Sequence, residues 1–237
     1  MTAPWFMSPS NFLGMLTPDD RDALAALSQR HNCRRHEFVF RVGAPADHVY
    51  LLRDGRIKIF GLSGSGKESI LWFCFPDEMF GLAEIARGQD REVYAQACTD
   101  CEYDAIPRGK FREFLAGRPA VAMAVLELFS CRLRVLGEML QALTADDVTT
   151  RVVKLLLRLS ARYGRPMGDT ICLDIPLTHQ EMADMVGATR QTVTAVLSDL
   201  KRLGALRIEN HLIWIERAEL LERMARNSAT APIPLSA

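Results

Sequence analysis

The stretch THQEMADMVGATRQTVTAVLSDLKRL, residues Thr178–Leu203, decides the fold. It predicts two helices separated by one tight turn. Thr178 and Glu181 form a capping box, in which hydroxyl and carboxylate each satisfy a free backbone N–H at a helix start. Met182, Ala183 and Val186 give the first helix an apolar side. Gly187 supplies the positive φ that a helix end often needs. Ala188 crosses the turn, and Thr189 is placed to cap the second helix.

At about 100° per residue, Val193, Val196, Leu197, Leu200 and Leu203 share one face of that second helix. Arg190, Gln191, Thr194 and Ser198 fall on the other. Arg190 and Gln191 sit in the first turn, where a helix lying in the DNA major groove presents side chains to base edges. Arginine can donate two hydrogen bonds to guanine, and glutamine can pair with adenine. The alternative is an ordinary helical hairpin with a solvated polar face. The capping box, the turn glycine and a β-rich wing after the helix weigh towards DNA.

Thr178, Glu181, Ala183, Gly187, Thr189, Arg190, Thr192, Val193 and Leu197 resemble the helix-turn-helix signature of the bacterial CRP/FNR regulators. This family is named for the cyclic-AMP receptor protein and the fumarate–nitrate reduction regulator. The resemblance runs from about Leu13 to Arg226. It implies a homodimer with an N-terminal β-roll sensor, a long dimerising helix and a C-terminal winged helix. The fold class expected is therefore α+β, with a jelly-roll domain like those that bind cyclic nucleotides.

Composition is compatible with that order. The chain has 237 residues and is 49% hydrophobic, enough for small domains with real cores. Its 29 basic and 29 acidic residues cancel, which argues against non-specific polyanion binding but leaves room for a local basic surface. No apolar run approaches the roughly 20 residues of a membrane span. The segment MTAPWFMSPSNF lacks the basic start and apolar core of a secretion signal. Six scattered cysteines fit reduced thiols, and a cytoplasmic location is expected.

Along the chain, Trp5, Phe6, Phe12 and Leu16 are candidates to pack on the sensor. Thr17-Pro18-Asp19-Asp20 is a helix start, and the helix runs to about Gln29. From Cys33 to Ile106 the pattern is strands and turns, with Asp54-Gly55 as a hairpin signal and Ser63–Gly66 as a connection. The run through Gly43, Val49–Leu52, Gly55 and Ile57–Ile59 resembles a cyclic-nucleotide-binding β-roll. A short helix is expected over Arg108–Ala116, then a long one from Arg118-Pro119 to about Leu143.

The long helix carries two heptad-spaced stripes. One is Leu126, Phe129, Leu133, Leu136, Leu140 and Leu143; the other is Val125, Leu128, Arg132, Val135, Met139 and Ala142. One can cover the β-roll while the other meets a partner helix; burial of both sides within a monomer is the alternative. A parallel pair would set two recognition helices about 34 Å apart, one turn of DNA. Asp146-Asp147 is the candidate hinge and caps Val148–Tyr163. Gly164–Pro166 and Gly168-Asp169 read as a loop, and Ile171–Asp174 as a strand. Ala205–Ile208, a turn at Glu209-Asn210, and Leu212–Ile215 make the wing. A helix then covers about Arg217–Arg226. The expected division is a sensor over 13–116, a dimerisation helix and hinge over 117–145, a DNA-binding domain over 146–226, and a disordered tail over 227–237.

The resemblance also places the effector region at Phe80, Gly81, Leu82 and Ala83, with Arg91 and Arg132. In the family's cyclic-AMP pocket a glycine–glutamate pair holds the ribose, an arginine and a serine hold the phosphate, and a threonine–serine pair meets adenine. Gly81 and Arg91 match. Leu82, Glu92 and Leu136-Gly137 depart, and a carboxylate at Glu92 would repel a phosphate. Cyclic AMP is thus disfavoured. The family's 2-oxoglutarate-sensing nitrogen regulator uses arginines at places similar to Arg91 and Arg132, so a small carboxylate, or another nucleotide, is the effector class implied. Ion pairing of these arginines with Glu84 or Glu92 is the competing reading. The family's oxygen-sensing branch places three cluster cysteines near the N-terminus and one in the β-roll; here no cysteine precedes Cys33 and the β-roll position aligns with Asp104, so the resemblance does not support an iron–sulfur cluster. Cys98-x-x-Cys101 reads as a redox or metal pair or as buried thiols. His31, His36 and His48 have no setting diagnostic of haem.

For DNA, Arg190 and Gln191 are the main base-reading candidates, with Thr194 next. Thr178, His179, Gln180, Thr189 and Thr192 would hold phosphates, and Lys201 and Arg202 would add general attraction or simply solvate the far end of the helix. The partners implied are a palindromic promoter duplex, a second copy of the chain and RNA polymerase, with transcription activation as one outcome. The alternative is an effector-binding module acting through a protein partner. No P-loop, Gly-x-Ser-x-Gly or His-Glu-x-x-His motif points to an enzyme.

Overall fold

The computed structural model describes residues 12–209 and 212–227. The chain divides into two compact units, with the change at Arg132/Leu133.

In the first unit a single 3₁₀ turn at Leu13–Met15 precedes α1 (Pro18–Ala26). Thr17 caps α1 by accepting a hydrogen bond from the Asp20 N–H at 3.2 Å, with Pro18 at the first helical position. Eight strands follow: β1 (Gln29–Cys33), β2 (Phe38–Phe40), β3 (His48–Asp54), β4 (Ile57–Leu62), β5 (Glu68–Cys74), β6 (Met79–Phe80), β7 (Tyr94–Ala97) and β8 (Cys101–Pro107). They form two four-stranded antiparallel sheets, ordered β1-β8-β3-β6 and β2-β7-β4-β5, as a jelly roll requires.

The two-residue period of β3 sorts its side chains between two cores. Tyr50 and Leu52 join Ile57, Ile59, Phe80, Ala95 and Ala97 between the sheets. Val49 and Leu51 turn the other way, onto Phe12, Leu24, Ile106 and the helices that follow. Those are α2 (Arg108–Ala116), which buries Phe111 and Phe114, and the start of α3 (Pro119–Ala145), which buries Val121, Ala124, Val125 and Leu128. Phe12 and Leu16 are buried as anticipated, whereas Trp5 and Phe6 lie outside the described residues.

Asp54-Gly55 makes its turn but not a hairpin. β3 pairs with β8 and β6, β4 pairs with β5 and β7, and the chain crosses here from one sheet to the other. Gly55 has φ +87°, and a Cβ there would stand 2.4 Å from the Asp100 carbonyl oxygen, so only glycine fits.

In the second unit α3 ends at Ala145, and Asp147 caps α4 (Val148–Tyr163) by accepting from the Thr150 N–H at 2.7 Å. The segment expected as a loop is a strand, β9 (Gly164–Met167), paired with β10 (Thr170–Leu173). It lies at the edge of the sheet, where Pro166 leaves no inner partner without a donor. Then come α5 (His179–Val186), α6 (Arg190–Arg202), β11 (Leu206–Glu209), β12 (Leu212–Ile215) and α7 (Ala218–Asn227). The sheet order is β11-β12-β10-β9. Its core joins Val152, Leu156 and Leu159 of α4 with Leu173, Val193, Leu197, Ile213 and Leu221. The wing turn at Asn210 and the tail beyond Asn227 lie outside the described residues.

Candidate nucleic-acid interface and effector region

The helix pair that would meet DNA is fixed by local chemistry at every joint. The Glu181 N–H donates to Thr178 Oγ1 at 3.1 Å, and the Thr178 N–H donates to Glu181 Oε2 at 2.8 Å, closing the capping box. Gly187 ends α5 in the left-handed region at φ +66°, where an L side chain is strained. The Thr192 N–H donates to Thr189 Oγ1 at 3.2 Å, which starts α6.

Amphipathicity then sets the facing of α6. Val193, Val196, Leu197 and Leu200 are buried, and Met182, Ala183 and Val186 meet them from α5. Arg190, Gln191 and Ser198 are exposed. Among the described residues neither Arg190 nor Gln191 has a side-chain hydrogen-bond partner. Thr194 is more committed: its hydroxyl shares 2.8 Å contacts with the Arg190 carbonyl and with His179 Nδ1. Ser198 donates to the Thr194 carbonyl at 2.9 Å, and Gln180 donates to the buried Asp184 at 2.9 Å. Thr178, Thr189 and Thr192 are exposed at the two helix starts, where backbone N–H groups favour an anion. The His179–Thr194 link had no signal in the sequence, since it joins residues of different helices.

In the β-roll the structure brings the expected effector residues to one place and occupies them. Arg91 is 2% exposed. Its guanidinium donates to Glu84 Oε2 at 2.6 Å, to the Gly81 carbonyl at 2.9 Å and to the His48 carbonyl. It stacks 4.3 Å from the Phe40 ring centroid, and its Nε has no partner among the described residues. Arg132 donates to the Met79 carbonyl and lies 5.0 Å from the Trp72 ring centroid. The two arginines therefore flank Phe80 from either side along the backbone. Phe80 is buried against Tyr50, with centroids 5.0 Å apart, Leu82 is buried and Ala83 is exposed. Burial pushes the Tyr50 phenol up, against the pull of Arg91. Glu84 had been legible as a competing partner for Arg91; His48 and Tyr50 had not.

Cys101 does not pair with Cys98. It stands opposite Cys33 in the β1–β8 register, and both are free thiols. Among the described residues no group of His, Cys, Asp and Glu is placed to hold a metal.

Comparison with known proteins agrees with both halves. Residues 30–118 match the family profile of the cyclic nucleotide-binding domain, and residues 150–224 match that of the Crp-like helix-turn-helix domain. A CRP-like cAMP-activated global transcriptional regulator of Mycobacterium tuberculosis is 32% identical over 216 residues, 90% of this chain and 96% of the relative. The global nitrogen regulator of Synechococcus elongatus is 32% identical over 183 residues, 76% of this chain and 82% of the relative. FixK2 from Bradyrhizobium japonicum shares the fold with a TM-score of 0.74 at 22% identity, covering 83% of this chain and 96% of that one. No helix among the described residues is long and apolar enough to cross a membrane. A β-roll, a long helix and a winged helix-turn-helix, matched along nearly their whole length by curated relatives, make this chain a member of the CRP/FNR family of transcriptional regulators.

Proposed function

We propose that the protein is a homodimeric, sequence-specific DNA-binding regulator whose α6 enters the major groove. One observation carries this reading: Arg190 and Gln191 stand exposed and unpaired in the first turn of a helix whose opposite face is buried. Arg190 is assigned to guanine and Gln191 to adenine, with Thr194 and Ser198 behind them. Thr178, Gln180, Thr189 and Thr192 are assigned to phosphates. His179 joins them through Nε2, because Nδ1 is engaged by Thr194. Gel-shift titration on a selected site tests the assignment. Arg190→Ala should weaken binding by about 1–3 kcal/mol per half-site. An unchanged footprint and affinity would refute it.

Dimerisation is assigned to α3. Leu126, Leu133 and Leu140 recur at heptad spacing and are 55%, 72% and 65% exposed, while Val121, Val125 and Leu128 are buried. A leucine seam of this kind is stable when a second helix covers it. The functional division we propose is a sensor over 13–116, dimerisation helix and hinge over 117–145, and DNA-binding domain over 146–226.

For the effector, the mycobacterial relative is named for cyclic AMP. This chain lacks most of the polar partners that the family resemblance implies for a cyclic-AMP pocket, with Leu82 and Glu92 in place of the glutamate and serine. A small carboxylate at the Phe80–Ala83 turn, held by Arg91 and Arg132, is the better reading, and it must displace Glu84 from Arg91. Isothermal titration with 2-oxoglutarate and with cyclic AMP tests it; no heat with either removes both ligands.

A further inference from the structure

We propose that the unit beginning at Leu133 carries a ligand site of its own, a cavity of about 460 Å³ that binds a monocarboxylate with an apolar body through Arg158. The cavity lies where the end of α3 meets α4 and the last turn of α5. Its size falls within the range of about 300–1,000 Å³ typical of small-molecule sites. Most of its wall is apolar, from Met139, Leu157, Met185 and Val186.

The polar groups decide the ligand class. Three cations of α4, Arg151, Lys154 and Arg158, are spaced to share one helix face and line the cavity. Two are spent. Arg151 donates to the carbonyls of Val186 and Asp146, both at 2.8 Å, and Lys154 pairs with Asp146 at 2.7 Å. Arg158 has no hydrogen bond or ion pair among the described residues. Glu138 also lines the cavity, but beyond ion-pairing distance. Burial pushes the Arg158 guanidinium down and the Glu138 carboxyl up, as for charges held from water without a close partner.

A half-buried guanidinium with open donors fits a carboxylate through two parallel N–H···O bonds. The Glu138 carboxylate opposes a second negative charge, which selects a monoanion over a dianion. The apolar wall selects a medium chain or a single aromatic ring. Of the α3 residues that line the cavity, Glu138 and Ala142 each fall about 160° around the helix from Leu140, away from the exposed leucine seam, whereas Leu143 belongs to that seam.

Occupancy would brace α3 against the end of α5, because Val186 both lines the cavity and accepts from Arg151 beside the Gly187 turn. That regulatory consequence rests on the DNA-reading assignment; binding does not, and titration reads binding alone. The experiment is isothermal titration of the full chain with octanoate, octan-1-ol and succinate. Octanoate should bind saturably at one site per chain, and the other two should bind about tenfold more weakly or worse. Arg158→Met, which replaces the half-buried guanidinium with an apolar group of similar volume, should weaken octanoate by about tenfold or more. Ala142→Trp, which fills the cavity, should abolish it. Absence of saturable octanoate binding to the wild type would overturn the proposal. So would an unchanged affinity in either variant shown by circular dichroism to be folded.

Discussion

Arg91 and Glu84 form an ion pair of 2.6 Å whose side chains are 1% and 7% exposed. Such a pair is costly to break from one side, because the remaining charge stays buried. Glu84→Ala should destabilise the β-roll by about 3–5 kcal/mol. The double variant Glu84→Leu/Arg91→Met should lose less than the sum of the two single variants, although the Gly81 and His48 carbonyls lose their donor. Urea unfolding of the full chain, read as a double-mutant cycle, checks both.

Base reading and phosphate attraction should separate on α6. Gln191→Ala should cost about 1–3 kcal/mol and relax preference at an adenine position. Lys201→Ala should weaken all sequences alike and lower the salt slope by about one unit. Fluorescence anisotropy on site variants at several salt concentrations distinguishes the two. A Gln191→Ala protein with unaltered preference would remove that residue from the base-reading set.

Leu133 and Leu140 are 72% and 65% exposed on one face of α3. Changing both to Asp leaves each chain's own core untouched and places charges in the proposed seam. Sedimentation should show a dimer for the wild type and a monomer for the variant. A variant that remains dimeric would move the interface off this helix face.

Asp147 caps α4, and the Thr150 backbone N–H holds its carboxyl below the usual aspartate range. Asp147→Ala should cost about 1 kcal/mol at neutral pH. The sign with pH follows from the lowered folded-state value. The contribution is complete above the unfolded value of about 3.9 and is lost as pH falls through the folded one. Denaturation curves of the two proteins should therefore converge in acid.

Cys33 and Cys101 face each other, 9% and 4% exposed. The hydrogen bond from Cys33 is the first cause that lowers the Cys101 thiol to about 6, and the same bond pushes the Cys33 thiol up. Between about 6 and the unfolded thiol's value of about 8.5, the unfolded chain holds the extra proton. Wild-type stability at this site should rise with pH across that window. Cys33→Ala should raise the Cys101 midpoint, read by ultraviolet thiolate absorbance, and flatten the slope.

Features set by neighbours along the chain are legible in the sequence. The caps at Thr17, Asp147, Thr178 and Thr189 each bond a group three residues away, so sequence alone places the starts of α1, α4, α5 and α6. Features set by distant partners are not. Asp54-Gly55 carries hairpin chemistry, yet the partners of β3 and β4 lie far off in sequence and pull them into different sheets. Pro166 reads as a loop until β10 supplies an edge to pair with. Cys101 looks joined to Cys98 until β1 lies down opposite it. At the Phe80–Ala83 turn the arginines are identifiable in the sequence, but their consumption by Glu84 and by backbone carbonyls depends on how the sheets close.

The His179–Thr194 contact ties the start of α5 to the first turns of α6, while Val193 and Val196 clamp the same pair from within. Both contacts favour one angle between the two helices. If the pair reads DNA as proposed, a signal that reaches it would change how often a promoter is engaged and not which letters are spelled out. The half-site consensus should stay the same with and without any inducer, and only occupancy should move.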